Sequence, residues 1–180
     1  MIKRSFPPVA GPDTRVLVLG SLPGEVSLAR SQYYAHPQNQ FWRLIGEVTG
    51  TALSMMDYPA RLAALGAAGI GLWDVIGAAT RQGSLDGAIR HPEPNALAEL
   101  VATQPRLRAV AYNGAKASAI GRRRLEHRAD LEQVTLPSSS PAYTLRFDDK
   151  AKAWRVMKGF LDLPPSPRAG FTSLRGRPDA

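Results

Sequence analysis

Cysteine is absent from the 180 residues. Disulfides, thiolate metal centres and cysteine-ligated iron–sulfur clusters are thereby excluded. Long apolar runs are missing too: no stretch approaches the roughly 20 apolar residues of a membrane span. Residues 1–14 carry Pro7, Pro8 and Pro12 and no apolar core of the secretory kind, so a soluble cytoplasmic protein with no membrane partner is expected. Lysine is scarce: Lys3, Lys116, Lys150, Lys152 and Lys158 are five of the 23 basic residues, against 18 arginines. A Schiff-base mechanism needs an activated amine, and of these five only Lys116 falls near a predicted ligand loop. Neither the dinucleotide fingerprint nor the nucleoside-triphosphate loop occurs, and there is no internal repeat.

What is present is the composition of one globular domain. Hydrophobic residues make up 44% of a chain long enough for one substantial core and too short for two ordinary domains. The formal charge of +8 and the pI near 10.3 suit a polyanionic partner. Part of the arginine excess can equally reflect genomic base composition.

Residues 16–46 organise the chain. Val16-Leu17-Val18-Leu19 is apolar without alternation, the pattern of a strand covered on both faces. It stops at Gly20-Ser21-Leu22-Pro23-Gly24, where the glycines accept backbone angles barred to other residues and Pro23 fixes one between them. Ligands of open α/β sheets sit beyond the carboxyl ends of strands. This turn therefore either brings its amides to a ligand or only redirects the chain. The segment after it carries more signal: Tyr33, Tyr34, Phe41 and Trp42 lie within ten residues, together with His36, Gln38, Asn39 and Gln40, in a chain with 7% aromatic content. Rings stack on bases, and carboxamides pair with base edges or hold a water. Trp42 is expected to bury itself at a helix start, whereas Tyr34, His36 and Asn39 are hard to explain as core.

Helical patterns over residues 41–48, 59–68, 95–103, 115–127 and 151–161 alternate with strand patterns over 70–76, 108–114 and 131–136. Together with the strand at 16–19, they predict a three-layer α/β/α domain around a four-stranded, mainly parallel sheet. Residues 15–162 form this single domain. An irregular lead-in at 1–14 precedes it, with Phe6 packed on the domain, and a basic tail at 163–180 without apolar periodicity is expected to be disordered.

Several polar positions fall at the ends of these strands. Asp74 can accept from a base N–H, orient a water, cap the following turn or pair with an arginine. Residues 81–86 read as a polar loop, either solvent-exposed or in touch with a substrate, in which Ser84 or Asp86 caps a short helix through Ile89. Asn113 and Lys116 stand where a helix opens whose amides favour anions, and either approach a phosphate or brace the turn, bracing being the expectation for Asn113. Arg122, Arg123 and Arg124 diverge around that helix as a solvated end. Pro137-Ser138-Ser139-Ser140-Pro141 sets small hydroxyls between prolines, a surface that can hydrogen-bond phosphate at close approach.

Taken in order, GSLPG, YYAHPQNQFW and LPSSSPA resemble the uracil-DNA glycosylase superfamily, and within it the hypoxanthine-DNA (deoxyinosine) glycosylase branch, over residues 15–160. The mismatch-specific uracil and thymine branch is similar in AHP-x-N-x-FW but usually has an Asn at the place of Ser21 or Leu22. Its absence leaves Asn39 as the best candidate for the catalytic carboxamide. The resemblance implies three active loops at one edge of the sheet and DNA containing deaminated bases as partner. It places Ser21 and the first-loop amides on the base or the water, and Asn39 on the attacking water through its amide oxygen. Tyr34 would stack on the flipped base, with Leu22, Trp73 and Asp74 as further base contacts, at a strand end where the superfamily commonly has Asn. Ser138, Ser139, Ser140, Tyr143 and Lys116 would contact DNA, Tyr143 either as a wedge for the vacated stack or as a packed ring.

The histidine that many members carry in or near the third motif is missing, so the chemistry must lean elsewhere. What the resemblance implies is a monofunctional glycosylase of base excision repair, a monomer with no metal, no cofactor and no obligatory protein partner. Three alternatives remain: a uracil or mismatch-specific glycosylase, a noncatalytic DNA-binding module of the same fold, and a small-molecule hydrolase or nucleotide-binding α/β protein that uses the GSLPG turn for phosphate.

Overall fold

The computed structural model describes residues 1–162. In chain order the first half comprises β1 (Ile2–Arg4), β2 (Val16–Gly20), α1 (Glu25–Arg30), α2 (Phe41–Thr49), α3 (Tyr58–Ala67), β3 (Ile70–Asp74) and β4 (Ile76–Thr80). The second half comprises β5 (Arg90–Pro94), α4 (Leu97–Ala102), β6 (Ala109–Asn113), α5 (Ala115–Arg124), β7 (Glu132–Leu136), α6 (Phe147–Trp154) and α7 (Met157–Asp162).

The central sheet runs β3-β2-β6-β7 with every neighbouring pair parallel. Every residue of β2 is buried, because successive side chains of a strand point to opposite faces and both faces are covered here. Val16 and Val18 enter one core with Phe41, Trp42, Leu44, Ile45, Leu65, Trp154 and Met157, from α2, α3, α6 and α7. Leu17 and Leu19 enter the other, with Leu97 and Val101 of α4 and Ala117 of α5. This is the expected three-layer α/β/α arrangement, and each large side chain removed from water stabilises it by about 1.5–3 kcal/mol.

A second sheet, antiparallel in the order β1-β4-β5, was not anticipated. The lead-in is therefore not wholly irregular, since Ile2–Arg4 pairs with β4 and Val9 bridges Leu72. Its Phe6 does pack on the first core, edge-on to Tyr33. The predicted strand over 70–76 divides at Val75, where β3 ends in the parallel sheet and β4 turns into the antiparallel one. The predicted closing helix is two helices, α6 and α7, with Trp154, Met157 and Leu161 all buried. The tail at 163–180 lies outside the described residues. Among those described, no helix is long and apolar enough to cross a membrane.

Candidate active site

Parallel register brings the carboxyl ends of β2, β3 and β6 to one level, with Gly20 opposite Asp74 and Leu19 opposite Tyr112. Beyond these ends lies a cavity of about 410 Å³. Four stretches line it: the first loop around Ser21, the aromatic segment with Tyr34, His36 and Asn39, the turn Ser84-Leu85-Asp86, and the serine loop through Tyr143. The volume is in the range of small-molecule sites.

Asp74 forms the floor and is 3% exposed. Its Oδ2 accepts a hydrogen bond from Ser5 Oγ at 2.8 Å, so the lead-in supplies an anchor for the site. Burial pushes the carboxyl up to about 7 from its ordinary value near 3.8, against the lowering effects of Ser5, Tyr33 and Arg81, while the charge of Asp86 raises it further. Gly20 lies beneath it: a methyl there would come 2.7 Å from Asp74 Oδ1 and 3.0 Å from the Tyr34 hydroxyl. Gly20 is thus needed for close approach of side chains rather than for unusual backbone angles. Gly20→Ala is expected to displace Asp74 and to slow any reaction in the cavity on the order of 10²-fold, with the thermal melt still cooperative; single-turnover kinetics beside a melt would check it.

Tyr34 stacks its ring on Phe41 with centroids 3.7 Å apart and planes 9° from parallel. Phe41 does not line the cavity and Tyr34 does, which leaves the second ring face for a ligand. The residue adopts a left-handed backbone, φ 54°, a conformation that costs on the order of 1–3 kcal/mol outside glycine. Its hydroxyl is buried without a hydrogen-bond partner, and burial followed by the nearby Asp74 charge raises its pKa well above the usual tyrosine value. Asn39 also lines the cavity, and its Oδ1 accepts from Phe41 N–H at 3.0 Å. The amide oxygen expected to hold water therefore already carries one bond, which fixes the carboxamide at the entrance to α2. A carbonyl oxygen has a second lone pair.

Within the serine loop, Ser139 is 1% exposed. Asn113 Nδ2 donates to its Oγ and its N–H donates to Asn113 Oδ1, both at 2.8 Å, while its carbonyl accepts from Gln40 N–H at 3.0 Å. Ser139 and Asn113 thus lock the loop to β6 and the aromatic segment, so the Ser139 hydroxyl is committed inside the protein instead of facing DNA. Ser138 and Ser140 flank it on the cavity wall, and Tyr143, 48% exposed, stands at the rim. Lys150, 1% exposed, donates to the carbonyls of Tyr143 at 2.7 Å and Ser140 at 3.4 Å, and burial lowers its pKa. Lys116 was expected to be the lone lysine near the loops; the folding back of α6 brings Lys150 there too.

Of three other expected contacts, two lie outside the cavity lining and the third is a mostly buried part of it. Trp73 does not line the cavity, because neighbouring residues on a strand face opposite ways and Asp74 takes the inward direction. Its indole N–H instead donates to Phe6 O at 2.9 Å. Lys116 lies in the first turn of α5, outside the cavity lining. Leu22 does line it but is 6% exposed and packs in the second core, with its carbonyl held by Arg81.

The turn between β4 and β5 is not a free loop. The Arg81 guanidinium, 2% exposed, donates to the carbonyls of Leu22 and Pro23, and Ser84 Oγ accepts from Glu25 N–H at 2.9 Å. Lys3 Nζ donates to Gly83 O at 2.8 Å. These ties bring Asp86 against the first loop, where Ser21 Oγ donates to Asp86 Oδ1 at 2.5 Å. An arginine directly after the alanine-containing strand β4 was the available signal, and a single sequence does not distinguish a buried arginine from a surface one.

A family model described as the uracil DNA glycosylase superfamily matches residues 7–163. A hypoxanthine DNA glycosylase of Methanosarcina barkeri is 47% identical over 116 residues, 64% of this chain and 73% of that protein. A hypoxanthine DNA glycosylase of Methanosarcina acetivorans is 40% identical over 157 residues, 87% of this chain and 98% of that one. A solution NMR structure from Methanosarcina acetivorans, provisionally assigned as a uracil DNA glycosylase, superposes with a TM-score of 0.80 at 39% identity, covering 91% of this chain and 100% of that one. With its parallel sheet, its loop-lined cavity and these matches, the chain belongs to the uracil DNA glycosylase superfamily.

Proposed function

We propose that the protein is a monofunctional DNA glycosylase that hydrolyses the N-glycosidic bond of deaminated nucleotides, hypoxanthine first among them, in base excision repair. The observation that carries this reading is that Tyr34 and the buried carboxyl of Asp74 line one cavity, with the Tyr34 hydroxyl and Asp74 Oδ1 converging over Gly20. A base inside a duplex cannot reach such a floor, so the nucleotide must be extruded, at a cost of a few kcal/mol that is smallest for a mispaired base. Tyr34 then stacks on it. As the glycosidic bond breaks, the sugar becomes positive and the base gains negative charge. A neutral Asp74 donates a hydrogen bond to that charge, where an ionised one would repel it. Asn39 holds the attacking water by the remaining lone pair of its amide oxygen. Ser138, Ser140 and Tyr143 meet the backbone and the vacated stack.

The enzyme acts as a cytoplasmic monomer without metal, cofactor or obligatory protein partner. Side-by-side single-turnover release from matched duplexes carrying deoxyinosine, deoxyxanthosine or deoxyuridine tests the reading. Fastest release of hypoxanthine, with strand breakage only after alkali, is the expected result. Release of uracil alone would move the chain to the uracil-specific enzymes, and DNA binding without release of any base would leave a noncatalytic module.

A further inference from the structure

We propose that Asp86, presented by the turn between β4 and β5 and hydrogen-bonded by Ser21, is the catalytic carboxylate that takes the proton from the attacking water. The proposal rests on the glycosylase reading above. It begins from the count of bases in the cavity: of the lining side chains only Asp74 and Asp86 are carboxylates, and His36 is the one imidazole. Asp74 is buried, its Oδ2 accepts from Ser5 Oγ, and in the glycosylase reading it already serves as the proton donor to the base. His36 is exposed, with Nδ1 accepting from Gln38 N–H at 3.2 Å. Asn39, an amide, cannot accept a proton at neutral pH. Glu25, the acidic residue nearest the first loop in sequence, is paired with Lys3 at 2.7 Å and does not line the cavity. Asp86 is left.

Its setting suits the task. One carboxylate oxygen is fixed by the Ser21 hydroxyl at 2.5 Å, and no other side chain or backbone donor reaches the carboxylate among the described residues. Arg81 lies close enough to act on it electrostatically but spends its hydrogen bonds on the Leu22 and Pro23 carbonyls. The carboxylate is thus oriented, half-buried and not neutralised by an ion pair. A negative group on this wall also favours the positive charge that grows on the sugar. In the step, the bond from the sugar carbon to the base nitrogen breaks and its electron pair leaves with the base. The water oxygen bonds to that carbon, one water proton passes to Asp86, and the base takes a proton from Asp74, which Asp86 restores through solvent.

The test measures single-turnover hypoxanthine release from a deoxyinosine duplex, beside affinity for the same duplex carrying a non-cleavable 2′-fluoro analogue. Asp86→Asn is expected to lower the rate by about 10²- to 10⁴-fold while affinity holds or tightens, since a negative charge near phosphate has been removed. Formate added to Asp86→Gly is expected to restore at least part of the rate, which a purely structural role would not allow. A rate for Asp86→Asn within threefold of wild type, or a loss of rate matched by an equal loss of affinity, would overturn the assignment while leaving the glycosylase reading intact. No release by the wild type would overturn that reading itself, and the role of Asp86 with it.

Discussion

Asn39→Ala is expected to slow hypoxanthine release by on the order of 10²-fold or more, with affinity for the intact duplex almost unchanged. The carboxamide lines the cavity, and its orientation is set by the bond from Phe41 N–H at 3.0 Å. The substitution removes two things at once: the group that holds the water and the acceptor for the first residue of α2. Loss of such a local acceptor costs about 1 kcal/mol of stability. A thermal melt of the alanine variant separates the two effects: a rate loss of that size beside a cooperative melt, with stability lowered by only about 1 kcal/mol, belongs to the water and not to the helix start. Unchanged single-turnover excision in Asn39→Ala would remove Asn39 from the mechanism.

The second large effect is on pH dependence. Asp74 is pushed up to about 7, chiefly by burial, with Ser5, Tyr33 and Arg81 opposing and Asp86 reinforcing. The neutral acid is the form that can donate to a departing base, so the rate should hold below about pH 7 and fall toward tenfold per unit above it. Asp74→Asn keeps a neutral donor at every pH. Its profile is expected to lack this alkaline fall, though the maximum rate is lower because an amide cannot release a proton. An identical alkaline limb in both proteins would assign the fall to another group.

Stability follows with the same sign. The folded chain holds the Asp74 proton more tightly than the unfolded chain, whose carboxyl titrates near 3.9, so stability declines as pH rises between about 4 and about 7. The full difference is on the order of 4 kcal/mol. Asp74→Asn should therefore melt higher than wild type at pH 8 and not at pH 4. Thermal melts at those two values check it.

The sequence made some parts of the molecule plain and hid others for physical reasons. β2 and β6 were legible because a strand buried on both faces is apolar along most of its length, as in Val16-Leu17-Val18-Leu19 and Ala109-Val110-Ala111. The aromatic segment stood out by density, and the cavity does gather Tyr34, His36 and Asn39. The antiparallel sheet was hidden because β5 reads Arg90-His91-Pro92-Glu93-Pro94, fully exposed, with two prolines tolerated only at an edge. The other edge strand of that sheet, β1, is three residues long. The division of the closing helix at Arg155 carries no glycine or proline to announce it.

At the site, Asp86 was misread for a related reason. The segment Arg81-Gln82-Gly83-Ser84-Leu85-Asp86 is polar, as exposed turns are. The buried Arg81, reaching back about sixty positions to the Leu22 and Pro23 carbonyls, helps turn it inward, with the Ser84 and Gly83 ties beside it. Long-range ties of this kind leave no periodicity. Trp73 was the opposite case, an aromatic residue beside the right aspartate, taken to the other side by strand alternation.

The central claim is that a flipped purine occupies the cavity between Tyr34, Asp74 and Asn39. A crystal structure of the protein on a duplex carrying 2′-fluoro-2′-deoxyinosine tests it most directly. The prediction is an extruded hypoxanthine stacked on the free face of Tyr34, with Asp74 within hydrogen-bonding distance of the base and Asn39 on the side of the sugar carbon. A hypoxanthine still stacked in the duplex, or extruded into a position out of contact with both Tyr34 and Asp74, would contradict it.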